Sequence, residues 1–284
     1  MKKFLFISFL FLTNFVKAQH APFNPRCKEE VAFYSQVVAY SGSLTCTERG
    51  AVNVLATQLL NQSLFNAFYN FYPMVGGTIN SCKFNLITPQ TYSITFVNTV
   101  AADFTSAGFD GNGTNSYGNM NITPSTTFTL NNTAMHYSAI TITVTGSPFD
   151  MGGQTANANR MGVIFAGNSQ GSTCYQYNTT AAQGLLTSAT GSVTMNISSM
   201  FTLTRTSATS HEVYQNNSLL ASNTTSGGTL TTAVMYLNAF NNNGTASNFL
   251  TRTCRMAGVS RGLSSTEVAA LYNIDLKVQQ FLGR

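Results

Sequence analysis

The chain has no tryptophan, only 8% charged residues, and nine carboxylates in 284 residues. Globular proteins average about 25% charged. Asn, Thr, Ser and Gly must therefore carry solubility, which suits an exported protein. Scarce Glu and Lys remove the usual helix formers and exclude an all-α protein. No C-x-x-C and no paired histidines occur, so zinc spacing is missing. The acids nowhere form E-x-D-x-E, the strand pattern that sets carboxylates on one face. A sandwich glycosidase needs two carboxylates flanking the scissile bond. Glu212 stands alone on its strand, and Asp275 falls in a terminal helix. Cysteines number five: Cys27, Cys46, Cys82, Cys174 and Cys254. Export permits disulfides. Cys27–Cys46 would close a short loop, and an odd count leaves a thiol unpaired within the chain.

What is present begins with a secretory leader over residues 1–18. Lys2 and Lys3 form its charged start, Phe4 to Leu12 its apolar stretch, and Val16-Lys17-Ala18 its small-residue cleavage site. The apolar stretch falls short of the ~20 helical residues that span a bilayer, and no later run approaches that length. Removing the leader takes three lysines from the 14 basic residues and leaves 11 against 9 acids, a balance of +2. Arg252, Arg255 and Arg261 are the remaining loose basic group, expected at solvated strand and loop positions. They make no basic stripe, so no nucleic-acid partner is expected.

Residues 19–77 read as an arm followed by a helical unit. Glu29 to Tyr40 suits a short helix. Thr45 and Glu48 form a capping box, and Val52, Leu55, Leu59 and Leu60 follow at helical spacing. Ser63 predicts a further helix carrying Leu64, Phe65, Phe68 and Phe71, stopped by Pro73. Residues 78–284 read as one β-sandwich. Phe201 to Ser222 shows its grammar: Phe201 and Leu203 alternate with threonines, and Asn216-Asn217 supplies turn chemistry. Further strands are expected at Lys83–Leu86, Tyr92–Val97, Met120–Ile122, Thr126–Leu130, His136–Val144, Met161–Ala166, Thr173–Tyr177, Ser192–Ile197, Ala233–Ala239 and Arg252–Gly258. Many short strands with regular turns predict a doubled antiparallel sheet. A second capping box, Ser264 to Glu267, starts a helix over 265–281.

Several of these segments stand in a familiar order: Tyr72-Pro-Met-Val-Gly-Gly-Thr78, Phe84-Asn-Leu86, Gly111-Asn-Gly-Thr-Asn-Ser-Tyr117, Pro124-Ser-Thr126, Asn242-Asn-Gly-Thr-Ala-Ser247, Gly262-Leu-Ser-Ser-Thr-Glu-Val-Ala-Ala-Leu-Tyr272 and Gln280-Phe-Leu-Gly-Arg284. Over about residues 45–284 the chain resembles uncharacterised virion-associated proteins from phages and genomes of Bacteroidetes. That group is similar to the concanavalin A-like lectin/LamG superfamily. The resemblance implies a LamG-type jelly roll, with an N-terminal helical unit and a C-terminal helix. It also implies a place for Ca2+, since LamG-type domains often hold calcium in loops. Asp110-Gly-Asn112-Gly-Thr114 alternates oxygen ligands, although it lacks the glycine and terminal Glu of an EF-hand. A plain turn is the alternative.

Gly167-Asn-Ser169-Gln-Gly171 matches the G-x-S-x-G nucleophile elbow. That motif needs a helix after the turn, whereas a β-like stretch follows here, so a hairpin turn is expected. His136 and His211 sit in strand patterns and read as hydrogen-bonded strand residues. Tyr117 with Asn119, and Tyr175 with Tyr177, lie near Gly-rich turns. Flat aromatic faces stack sugar rings and Asn amides bond hydroxyls. The alternative is that these tyrosines only cover a sheet. The expectation is a non-enzymatic exported jelly roll, acting as a surface or virion structural component or an adhesin. A lectin-like glycan binder is the alternative, and a secreted hydrolase is more remote. Its partners would be a cell-surface glycan, further copies of itself, or other surface or virion proteins.

Overall fold

The computed structural model describes residues 27–140, 148–156, 159–168, 171–178, 185–187, 198–224 and 228–284. The leader, Ser169, and the strand expected at Ser192–Ile197 lie outside these residues. So does the far end of the strand expected over His136–Val144.

Among the described residues, five α-helices and seventeen strands are arranged in three layers. The helices are α1 (Lys28–Ala39), α2 (Cys46–Asn61), α3 (Ile79–Cys82), α4 (Pro124–Thr127) and α5 (Ser265–Phe281). The strands begin with β1 (Phe68–Tyr72), β2 (Thr95–Val97), β3 (Phe104–Thr105), β4 (Gly108–Asp110), β5 (Tyr117–Asn119), β6 (Thr133–Ile140), β7 (Met151–Gln154), β8 (Arg160–Asn168) and β9 (Gly171–Asn178). They continue with β10 (Leu185–Thr187), β11 (Ser198–Ser207), β12 (Ser210–Gln215), β13 (Ser218–Asn223), β14 (Tyr236–Leu237), β15 (Phe240–Asn242), β16 (Thr245–Ser247) and β17 (Thr253–Ser260).

The middle sheet runs β13-β12-β11-β6-β17-β4-β3, with β1 sharing the free edge of β17. The outer sheet runs β10-β9-β8-β7-β14-β5-β2, and β15 and β16 join it beside β7. Among the described strands, the pairings are antiparallel except that of β15 with β7, where Asn241 and Asn242 run parallel to Gly153 and Gln154. The chain is thus a mainly β, jelly-roll-type sandwich. The meander read from Phe201 to Ser222 is β11-β12-β13, and Asn216 takes the left-handed conformation its turn requires (φ 59).

The middle sheet is buried on both faces. Met135, Tyr137 and Ala139 of β6 point into the core between the sheets, with Phe201 and Leu203 of β11. Ala134, Met200 and Met256 face a second core under the helices, against Val52, Leu55 and Leu271. This explains why β6 and β17 are buried almost without alternation. Both capping boxes form. Thr45 Oγ1 accepts from the Glu48 N–H and starts α2, and Ser264 Oγ accepts from the Glu267 N–H and starts α5. Alpha5 spans the residues its sequence marks, and both helices pack on the middle sheet's helical side.

Three expectations are corrected. The helix read after Ser63 is a 3-10 turn, Phe65–Ala67, followed by strand β1. Aromatic-rich FYNFY favours a half-buried strand over a helix, and β1 pairs with β17. Lys83–Leu86 is not a strand. Asn85 Oδ1 takes the N–H groups of Phe71 and Ile87, doing the work of a ladder. Thr126–Leu130 begins inside α4, because Pro124 presets the first helical turn.

Candidate functional site

Beta5 fixes which way its side chains point. A Cβ on Gly118 would lie 2.8 Å from Ile94 Cγ2, with Leu237 and Phe96 next nearest, so that side faces the core. Tyr117 and Asn119 therefore lie on the face turned away from the middle sheet. The Tyr117 ring packs 4.5 Å from that of Tyr236, tilted by 35°, and 6.2 Å from Phe249. Tyr117 stays half-buried, while Tyr236 is covered. Burial pushes the Tyr236 phenol up to about 12, helped by the neighbouring Tyr117. Asn119 Oδ1 accepts the Asn121 N–H at 2.9 Å, leaving its amide nitrogen to donate outward. Asn121 is itself pinned, donating from Nδ2 to Ser93 O and Thr95 Oγ1.

Residues 111–116 border this platform. Asn112 Oδ1 accepts the N–H groups of Thr114, Asn115 and Ser116 at 2.9, 2.9 and 3.0 Å. An oxygen aimed at three N–H dipoles is turned away from a cation, so Asn112 builds an Asx turn and its Oδ1 is not offered as a ligand. Among the described residues, no group of three or more His, Cys, Asp or Glu side chains converges to hold a metal.

Tyr175 and Tyr177 lie on β9, four strands from β5 in the same sheet. Their side chains lie outside the described residues, but the register places Tyr175. One cross-strand row reads Asn119, Tyr236, Gly152, Gly162, Tyr175. Strand spacing makes that row about 19 Å long. Tyr117 with Asn119 and Tyr175 with Tyr177 thus lie four strands apart in one sheet and do not form one cluster.

All nine acids lie among the described residues, and eight of them serve an ion pair, a cap or a hydrogen bond. Glu30 pairs with Arg49, Asp150 with Arg252, Glu267 with Arg261 and Glu29 with Lys28. Glu48 and Asp103 cap helical turns. Glu212 accepts from Tyr214, and Asp275 from Ser138 and Gln279, whereas Asp110 Oδ1 is buried without a hydrogen-bond partner. Burial lifts the Asp275 and Asp110 carboxyls above the usual range. His136 and His211 are both buried, and desolvation lowers each to about 3, so both are neutral. His136 lies between Thr202 Oγ1 (3.1 Å) and Ser260 Oγ (2.8 Å). Since Ser260 Oγ donates to Arg261 O, His136 Nε2 is the donor, and this serine is not being activated. Around Ser169, β8 and β9 pair with Asn168 opposite Gly171. A strand, not a helix, follows, which is hairpin geometry.

Two sequence expectations fail here. Arg252 and Arg255 are not solvated: they are 0% and 2% exposed. Arg252 Nη1 binds Asp150 Oδ1 at 2.9 Å, a contact between residues 102 apart that no local pattern announces. The Cys27–Cys46 bridge is also absent, and both are free thiols. Cys27 N–H donates to Asn53 Oδ1, which holds Cys27 beside the third turn of α2. Cys46 starts that helix seven residues earlier, about 10 Å along its axis. A disulfide needs Cα atoms within about 7 Å. Tyr236 and Phe249 were missed as site residues. The only available signal was Tyr236 in an apolar strand run, and its meeting with Tyr117 depends on long-range pairing.

No known protein family matches the sequence, and no curated protein matches it. Solved structures do. The sialidase of Trypanosoma rangeli in complex with 2,3-difluoro-KDN aligns with a TM-score of 0.51 and 15% identity, covering 81% of this chain and 40% of that one. Domain 4 of an extracellular arabinanase from Geobacillus stearothermophilus, in complex with arabinotriose, aligns at 0.44 with 11% identity, covering 63% of this chain and 81% of that one. The Ruminococcus gnavus sialidase carbohydrate-binding module bound to sialyllactose aligns at 0.40 with 16% identity, covering 50% and 83%. The chain spans well under half of the first sialidase, and at this identity the likeness is one of fold.

Proposed function

We propose that this chain is a non-catalytic, lectin-like glycan-binding module of an exported surface or virion protein. The observation that carries the reading is the platform of Tyr117, Tyr236 and Phe249, with the Asn119 amide beside it. An aromatic face offers stacking to the C–H face of a sugar, and an amide beside it offers hydrogen bonds to hydroxyls. Tyr117 is held by its neighbours, so little side-chain freedom is lost on binding. The nine acids support the absence of catalysis. Eight serve an ion pair, a cap or a hydrogen bond, which leaves Asp110 alone and no pair to act as acid and nucleophile. The leader-like first 18 residues and the low charge support export. The sandwich fold is shared with a sialidase solved with a sugar acid.

The test is a glycan array followed by calorimetry on the full chain and on Tyr117→Ala. Binding that Tyr117→Ala weakens at least tenfold supports the reading. No binding to any glycan at millimolar concentration overturns it. Hydrolysis of a bound glycan would overturn the non-catalytic part.

A further inference from the structure

Charge is segregated between the layers. Residues 111–135, 161–204 and 213–251 contain no Asp, Glu, Lys or Arg, and neither do 137–149. Among the described strands of the outer sheet, Arg160 is the one charged residue. The undescribed segments between residues 141 and 227 add none. The other charged groups from residue 27 onward belong to the helices, the middle sheet or the connecting segments.

The charges closest in sequence to the Tyr117 platform do not serve it. Arg252, three residues beyond Phe249, is fully buried against Asp150. Asp110, at the base of loop 111–116, would repel an acidic sugar rather than attract one. Arg160 sits three strands from β5, and the register offsets it four residues from Tyr117. Strand spacing and rise place it roughly 20 Å away. Its Nε donates to Gln154 Oε1, and its guanidinium lies 5.8 Å from the Phe240 ring centre.

We infer that the ligand of the Tyr117 face is an uncharged glycan, read by ring stacking and amide hydrogen bonds without an ion pair. This deepens the glycan-binding reading and rests on it. A sialic or uronic acid carries a carboxylate that must either keep its water or find a cation, and among the described strands of the outer sheet Arg160, roughly 20 Å away, is the one cation. Ligands held this way are insensitive to salt, because screening acts on charges.

The experiment is calorimetry on the full chain with two probe sets. One is neutral, arabino-, xylo- and gluco-oligosaccharides; the other is acidic, sialyllactose and oligogalacturonate. Each is measured in about 50 and about 500 mM NaCl. The expected result is binding confined to neutral probes, with Kd changing less than about twofold between salts and unchanged in Arg160→Gln. Preferential binding of an acidic probe that weakens with salt would overturn the inference while leaving glycan binding intact. Loss of that binding in Arg160→Gln would identify the cation responsible. No binding to either set would overturn both readings.

Discussion

His136 on β6 donates from Nε2 to Ser260 Oγ on β17, 124 residues away and 2.8 Å distant. Its Nδ1 accepts from Thr202 Oγ1 on β11. One neutral imidazole thus ties the three central strands of the middle sheet, on the side that faces the helices. Phe68 packs against the same ring, 5.2 Å between centroids.

That tie makes stability depend on pH. Burial lowers His136 from 6.5 to about 3, so the folded protein holds it neutral while the unfolded chain binds a proton below about 6.5. The stabilisation is complete above 6.5 and is lost as pH falls towards 3. The steepest loss is about 1.4 kcal/mol per pH unit for each such group. His211 is lowered similarly, by burial and then by Arg205. Urea unfolding between pH 6.5 and 4.5 should show the decline, and His136→Gln should reduce its slope by about half. An unchanged slope would contradict a neutral buried His136. The window stops at 4.5 because Glu267, held down to about 2 by Arg261, begins to contribute below it.

Asp150→Asn should destabilise the fold by about 3 kcal/mol or more, since it leaves the buried Arg252 guanidinium without its counter-charge. A paired replacement, Arg252→Met with Asp150→Leu, should recover most of that loss. Chemical denaturation of the two variants beside the parent protein separates a charge effect from a packing effect.

Gly152→Ala should cost about 1–3 kcal/mol. Its φ is 154, and an added Cβ would lie 2.5 Å from Gly162 Cα on the adjacent strand. That neighbour is backbone and cannot step aside. Thermal melts of this variant beside Gly244→Ala, whose Cβ would meet nothing within 4 Å, separate the clash from the strain of positive φ.

Ser264→Ala should remove about 1 kcal/mol by uncapping α5. Denaturant midpoints measure the loss, and they should shift without a change in slope.

What could be read in the sequence followed the range of the interactions. The capping boxes at Thr45 and Ser264, the Asn216 turn and the alternation of β11 are set by residues within a few positions of each other, and they were legible. Beta1 was not, because Phe68 and Phe71 suit an apolar helix face as well as a strand, and β17, more than 180 residues on, decides between them. The burial of Arg252 depends on Asp150 and that of Asp275 on Ser138, both non-local. For the candidate site, Tyr117 and Asn119 could be picked as aromatic and amide beside a turn. Tyr236 and Phe249 reach them only through sheet pairing and a loop approach, which a linear pattern does not encode.

Calorimetry of the full chain and of Tyr117→Ala with the tightest neutral oligosaccharide bears most directly on the proposed site. The expected outcome is a loss of affinity of tenfold or more in Tyr117→Ala, a change of about 1.4 kcal/mol or greater, with thermal stability little altered because Tyr117 is only half-buried. Equal affinity in the two proteins would place the sugar elsewhere and contradict the assignment of this face.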